Sequence, residues 1–118
     1  MEKFDVTIIG SGPGGYVGAI RCAQLGLKVA IVERYSTLGG TCLNVGCIPS
    51  KAWLEASEHN YKLKHQFEKF GINVKEANVD ILKMNQRVQD VVQEIINGVD
   101  YLMKKNKVAV YEGHGTIK

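Results

Sequence analysis

Phe4-Asp5-Val6-Thr7-Ile8-Ile9-Gly10-Ser11-Gly12-Pro13-Gly14-Gly15 decides the fold. The first six residues are short, apolar and β-branched, and a cluster of glycines ends them. Such a run reads as a buried strand of a parallel sheet. From Pro13 to Leu25 the pattern becomes helical, with Val17, Ile20 and Leu25 among small residues. Gly26 is placed to end that helix. Lys28-Val29-Ala30-Ile31-Val32-Glu33 then reads as a second buried strand. Strand, helix and strand make a βαβ unit, whose crossover is nearly always right-handed.

The turn between strand and helix fits G-x-G-x-x-G, with Gly10, Gly12 and Gly15 at the motif positions. The pattern alone is weak; a strand before it and a helix after it give it meaning. Gly10 allows the sharp turn. Gly12 lets a pyrophosphate approach the backbone. Gly15 lets the helix lie close to the strand, and Ala19 extends that close contact. Pro13 and Gly14 open the helix, whose free N–H groups and partial positive charge suit phosphates. Glu33 lies 21 residues after Gly12. A carboxylate there accepts hydrogen bonds from an adenosine ribose and repels a 2′-phosphate. These features predict an adenine dinucleotide site without choosing between FAD and NAD. A plain strand–helix turn ending on a solvated glutamate is the alternative.

Composition bounds the rest. The chain has 118 residues, 45% hydrophobic and 23% charged, which suits one small folded domain rather than disorder. A net charge of +3 is too weak and scattered to point to nucleic acid. No apolar run approaches the roughly 18 residues of a membrane span. Met1-Glu2-Lys3 leads into a short apolar run and then glycines, which does not resemble a secretory leader. Nine of the 13 glycines fall at or before Gly46, so the first 46 residues follow different rules from the remainder.

Beyond Glu33, residues 36–49 read as a glycine-rich loop holding Cys42 and Cys47. Pro49 suits the first turn of a helix running to about Phe70, with Trp53, Ala56, Leu63, Phe67 and Phe70 on its apolar side. Asp80 reads as the N-cap of a long helix to about Lys105. Ile81, Met84, Val88, Val91, Val92, Ile95, Val99 and Leu102 form its predicted stripe. Val108 to Tyr111 alternates as a last strand, followed by Gly113-His114-Gly115.

Three cysteines is an odd number, which argues against a fully paired secreted framework. Cys22 falls in the first helix and reads as a buried packing thiol. For Cys42 and Cys47, zinc would require two more ligands, and Cys22, His59, His65 and His114 offer no zinc-like spacing. Two unrelated structural thiols or a redox-active pair remain. Cys47 stands near a predicted helix N-terminus, with Lys51 one turn further on, and positive charge favours a thiolate there. A C-x-x-C protein of the thioredoxin type has the wrong spacing.

The stretch Gly39-Gly40-Thr41-Cys42-Leu43-Asn44-Val45-Gly46-Cys47-Ile48-Pro49-Ser50-Lys51, together with the glycine turn and Glu33, resembles the N-terminal part of a flavin disulfide reductase. Its wording is most similar to the dihydrolipoamide dehydrogenase branch. Glutathione reductases typically carry Lys where this chain has Ser50, and mercuric reductases share much of the loop. The resemblance covers residues 1–118 and is most specific in the cysteine loop. It implies an α/β fold: an incomplete Rossmann-like FAD-binding domain, with a parallel sheet, helices and a long helical pair.

The resemblance also implies roles. Gly10, Gly12, Pro13, Gly14 and Gly15 would hold the FAD diphosphate, and Glu33 the adenosine ribose. Arg34, Gly39, Gly40, Thr41 and Cys42 would line the cofactor, with Thr41 near its phosphates. Cys42 would meet dihydrolipoamide, and Cys47 would face the flavin. Lys51 would lie near the flavin ring, and His114 and Gly115 near the adenine. No metal is implied. NAD would be the second substrate, bound by a domain outside these 118 residues, as would be the dimerisation domain with its His–Glu pair. A homodimer serving lipoyl domains and the E2 core of 2-oxo acid dehydrogenase complexes is implied, in a bacterial cytoplasm or a mitochondrial matrix. By itself the stretch would be inactive. A non-catalytic nucleotide-binding module is the competing expectation.

Overall fold

The computed structural model describes residues 2–117. Strand β1 (Val6–Ile9) pairs in parallel with β2 (Val29–Glu33), Val6 lying opposite Val29 and Ile9 opposite Val32. Strand β3 (Ala109–Glu112) pairs in parallel with the other side of β2, Ala30 opposite Ala109 and Glu33 opposite Glu112. The order β1-β2-β3 puts β2 at the centre. Covering both faces of a central strand explains its unbroken apolar run: Val29, Ala30 and Ile31 are all buried. The outer edges of β1 and β3 carry no strand among the described residues, and Ile9 at the tip of β1 is half exposed.

Helix α1 (Pro13–Gln24) crosses between β1 and β2. Proline occupies its first turn, where an N–H would have no helical acceptor. Gly26, at φ 87°, donates to the Ala23 carbonyl and closes the helix. Ala19 is fully buried. Cys22 is only half-buried, although it packs against the core.

The region expected as a loop over 36–49 is more ordered than its glycines suggest. It contains the short helix α2 (Gly40–Asn44), and α3 (Cys47–His65) begins two residues before Pro49. Proline at the third position costs no helical bond, because that N–H is also an orphan of the first turn. Helix α3 ends at His65 rather than near Phe70. A 3₁₀ turn over Phe67–Phe70 follows, and Gly71 at φ 75° closes it.

Helix α4 (Ile81–Lys105) starts where expected, with Asp80 Oδ1 accepting from the Lys83 N–H at 3.0 Å. Its buried residues are Val88, Ile96, Val99 and Met103. Ile81 and Leu102, expected in the stripe, are exposed. A straight helix turns about 20° per heptad against a 3.5-residue repeat. A stripe extended over three heptads therefore drifts away from its neighbour.

The core joins Ala19 of α1, Val29 and Ile31 of β2, Leu38 and Leu43 around α2, and Ile96, Val99 and Met103 of α4. The remaining length of α4 runs with α3, and the molecule measures 67 × 26 × 19 Å. Of the two thiol-bearing helices, α2 packs on α1, α3 and α4, and α3 packs on α2 and α4.

Candidate functional site

The glycine turn is built by backbone constraints that differ from glycine to glycine. Gly10 sits at φ 93°, a left-handed conformation that side chains rarely adopt. A methyl on Gly15 would run into the Gly10 carbonyl, so α1 lies directly on the end of β1. Gly12 is different. Its φ of −60° suits any residue, and a methyl there would meet nothing within 4 Å. The fold itself does not demand a glycine at 12. It leaves open space at the mouth of a helix whose first turn carries no acidic residue and no side-chain cap.

Glu33 ends β2 and is buried. Its Oε2 accepts from the Ser11 N–H at 2.8 Å and the Ser11 hydroxyl at 2.6 Å. Its Oε1 accepts from the Tyr35 N–H at 3.1 Å. Burial pushes this carboxyl up, but the bonds from Ser11, Tyr35 and Arg34 outweigh it and hold it below its ordinary range. An acid whose folded pKa is depressed adds stability above its unfolded value, lost as pH falls through the folded one. The difference in apoprotein unfolding free energy between wild type and Glu33→Gln is therefore expected to be full at pH 6. It should shrink below about pH 4.5, as followed by denaturant titration across pH.

A cleft of about 230 Å³ opens at the ends of the strands, where Ile9, Gly10, Glu33, Arg34, His114 and Gly115 meet. Gly115 lies against Ile9; a methyl on it would come within 3.1 Å of the isoleucine side chain. The Gly113 N–H donates to the Glu33 carbonyl at 2.7 Å, which draws the segment after β3 over the end of β2. Arg34 is exposed and lies over the Tyr35 ring, 4.7 Å from its centroid.

The thiols lie beside this turn rather than in the cleft. Cys42 in α2 and Cys47 at the first residue of α3 form a disulfide, with Cα atoms 4.6 Å apart. Cys42 is half-buried and Cys47 exposed. The N-terminus of the 19-residue α3 points its partial positive charge at Cys47. Lys51 follows one turn later and is exposed. Thr41 lines a separate hollow with Tyr35, Thr37, Asn44 and Val45. Helix α2 is held on the glycine turn by backbone contact. A methyl on Gly40 would come within 2.8 Å of the Gly12 Cα, and the Gly39 N–H donates to the Ser11 carbonyl at 3.0 Å. The helix that carries Cys42 thus rests directly on the glycine turn.

The chain matches the pyridine nucleotide-disulphide oxidoreductase family over residues 4–118. It belongs to that family. It is 50% identical over 114 residues to the mitochondrial dihydrolipoyl dehydrogenase of Schizosaccharomyces pombe, covering 97% of this chain and 22% of that protein. Identity is 47% over 122 residues to the dihydrolipoyl dehydrogenase of Cupriavidus necator, covering 97% of this chain and 26% of that protein. It is 49% identical over 114 residues to the leghemoglobin reductase of Vigna unguiculata, covering 97% and 22%. The chain spans about a quarter of the length of the curated relatives it matches.

Within this oxidoreductase segment two residues not singled out from the sequence hold the site together. Ser11, at an unspecified position of the glycine motif, is completely buried and contacts both Glu33 and Gly39. Asn44, between the cysteines, donates to the carbonyls of Leu38 at 3.1 Å and Gly40 at 2.9 Å. Its Oδ1 accepts from the Thr37 hydroxyl at 2.9 Å. Asparagine's tendency to bond neighbouring backbone was the available signal for the second. No helix among the described residues is long and apolar enough to cross a membrane.

Proposed function

We propose that residues 1–118 form the N-terminal part of the FAD-binding domain of a dihydrolipoamide dehydrogenase, and that Cys42 and Cys47 are its redox pair. The observation that carries this reading is the seating of α2 on the glycine turn, Gly40 against Gly12. A dinucleotide lying on that turn is the one beside the disulfide, which favours a flavin as the electron partner of the thiols. The residues fit the group: open space beside Gly12, an uncapped helix N-terminus, a carboxylate at the end of β2 and a cleft for adenosine.

Gly10, Gly12, Pro13, Gly14 and Gly15 hold the diphosphate, and Glu33 the ribose hydroxyls. Arg34, His114 and Gly115 border the adenosine, while Gly39, Gly40 and Thr41 line the path toward the thiols. Lys51 supplies positive charge on the α3 face that carries Cys47. When bound, FAD would supply the two-electron chemistry that links the thiols to NAD. A dihydrolipoamide thiolate attacks the Cys42 sulfur, the Cys42–Cys47 bond breaks, and Cys47 leaves as a thiolate. The second substrate sulfur then attacks the mixed disulfide, closing lipoamide and releasing Cys42 as a thiol. The dithiol has lost two electrons and two protons. The N-terminus of α3 stabilises the negative sulfur at Cys47.

NAD binding, dimerisation and docking onto the lipoyl domains and E2 of a 2-oxo acid dehydrogenase complex belong to the rest of the longer protein in this reading. Its place is the bacterial cytoplasm or the mitochondrial matrix. The test is the full-length protein assayed with paired substrates. Dihydrolipoamide is expected to drive NAD reduction, and glutathione disulfide or Hg²⁺ to give no turnover with reduced nicotinamide. Turnover of either of the latter, without activity on dihydrolipoamide, would reassign the substrate within the family.

A further inference from the structure

Ser11 has no side-chain exposure, although it stands in a turn whose glycines are chosen for openness. Its hydroxyl has one proton, given to Glu33 Oε2 at 2.6 Å. The same oxygen accepts from the Gly39 N–H at 3.1 Å. Its own backbone N–H also goes to Glu33 Oε2, at 2.8 Å, and its carbonyl also receives Gly39. One residue therefore joins the strand-end carboxylate, the glycine turn and the residue that opens the thiol helix. With Oε2 held twice by Ser11 and Oε1 bonded to the Tyr35 N–H, the carboxylate has one fixed orientation.

We infer that Ser11 is a positioning residue, holding the Glu33 carboxylate in the orientation that receives the ribose hydroxyls and tying it to Gly39. The inference rests on the reading that Glu33 binds the adenosine ribose. Ser11 meets no cofactor in this account; it acts through Glu33. Without the hydroxyl, Glu33 keeps a backbone N–H on each oxygen but loses its shortest bond, so its orientation is held less firmly and a ribose contact must freeze it further on binding.

The experiment is a fluorescence titration of full-length apoprotein with FAD and with an FAD analogue lacking both adenosine ribose hydroxyls. Wild type is expected to prefer FAD by about tenfold, the scale of one hydrogen bond to a charged group. In Ser11→Ala that preference should fall to about twofold or less, while binding of the analogue hardly changes. Equal loss for both ligands in Ser11→Ala, with the preference intact, would overturn the inference and leave a structural serine. No preference in wild type would instead overturn the ribose role of Glu33, and the positioning role with it. If Ser11→Ala does not fold, Ser11→Gly removes the same hydroxyl in a turn that already accepts glycine, and the same two outcomes decide.

Discussion

Replacing Cys47 with Ser in the full-length protein is expected to abolish the long-wavelength absorbance that a thiolate produces beside an oxidised flavin. Dihydrolipoamide oxidation should fall on the order of 10³-fold or more, the scale of losing a group that takes part covalently. Replacing Cys42 instead should leave the absorbance in place without any reductant, because Cys47 can no longer be held in a disulfide. The asymmetry follows from the position of each sulfur. Cys47 begins a 19-residue helix and faces its positive end, whereas Cys42 lies within the five-residue α2. A serine hydroxyl at 47 stays protonated and carries no charge to share with a ring. An anaerobic reductive titration of the two variants reads the result. Equal loss of absorbance in both, or its survival in Cys47→Ser, would reverse or remove the roles assigned here.

A second pair of variants separates what the fold requires from what the ligand requires. In Gly12→Ala the new methyl meets nothing and the backbone angle is permitted. The apoprotein should melt within about 2 °C of wild type, as a change without a named destabilising mechanism does. Its FAD affinity should nevertheless drop about 100-fold, because the methyl stands where the diphosphate must approach the backbone. Gly15→Ala should show the opposite order of events. Its methyl meets the Gly10 carbonyl, and both partners are backbone in a turn already fixed by Gly10 at φ 93°. Overpacking of this kind costs about 3 kcal/mol, so the apoprotein should unfold early and bind FAD poorly as a consequence. Thermal melts of apoprotein together with FAD titrations check both. Unchanged FAD affinity in a well-folded Gly12→Ala protein would remove the diphosphate from this turn.

The chemistry in these variants was legible in the sequence wherever it depended on neighbours along the chain. A β-branched run, three spaced glycines, a helix and a strand-end glutamate are local signals, and β1, α1 and β2 follow from them. Asp80 announced α4 because an N-cap is a local bond. The start of α3 was harder. Pro49 marked only the first turn, and the helix begins at Cys47, directly after Gly46. The stripe of α4 was extended on a regular repeat, so Leu102 was expected inward where Met103 is buried. Position along a helix face is decided by the partner surface, which no local pattern contains. Ser11 was invisible for a similar reason. Its partners, Glu33 and Gly39, lie 22 and 28 residues away, and only the closing of the sheet and thiol loop brings them together. His114 and Gly115 reach the cleft through the β2–β3 pairing, another long-range event.

The central claim is that the sulfurs of Cys42 and Cys47 open and close as an electron relay against the cofactor on the glycine turn. Differential alkylation of the full-length protein, read by mass spectrometry, tests it most directly. After one equivalent of dihydrolipoamide under anaerobic conditions, both cysteines should take the label. Subsequent NAD should restore the bridge and protect them, while Cys22 shows the same labelling throughout. A Cys42–Cys47 bridge that stays closed to dihydrolipoamide, or opens but is not restored by NAD, would contradict the account.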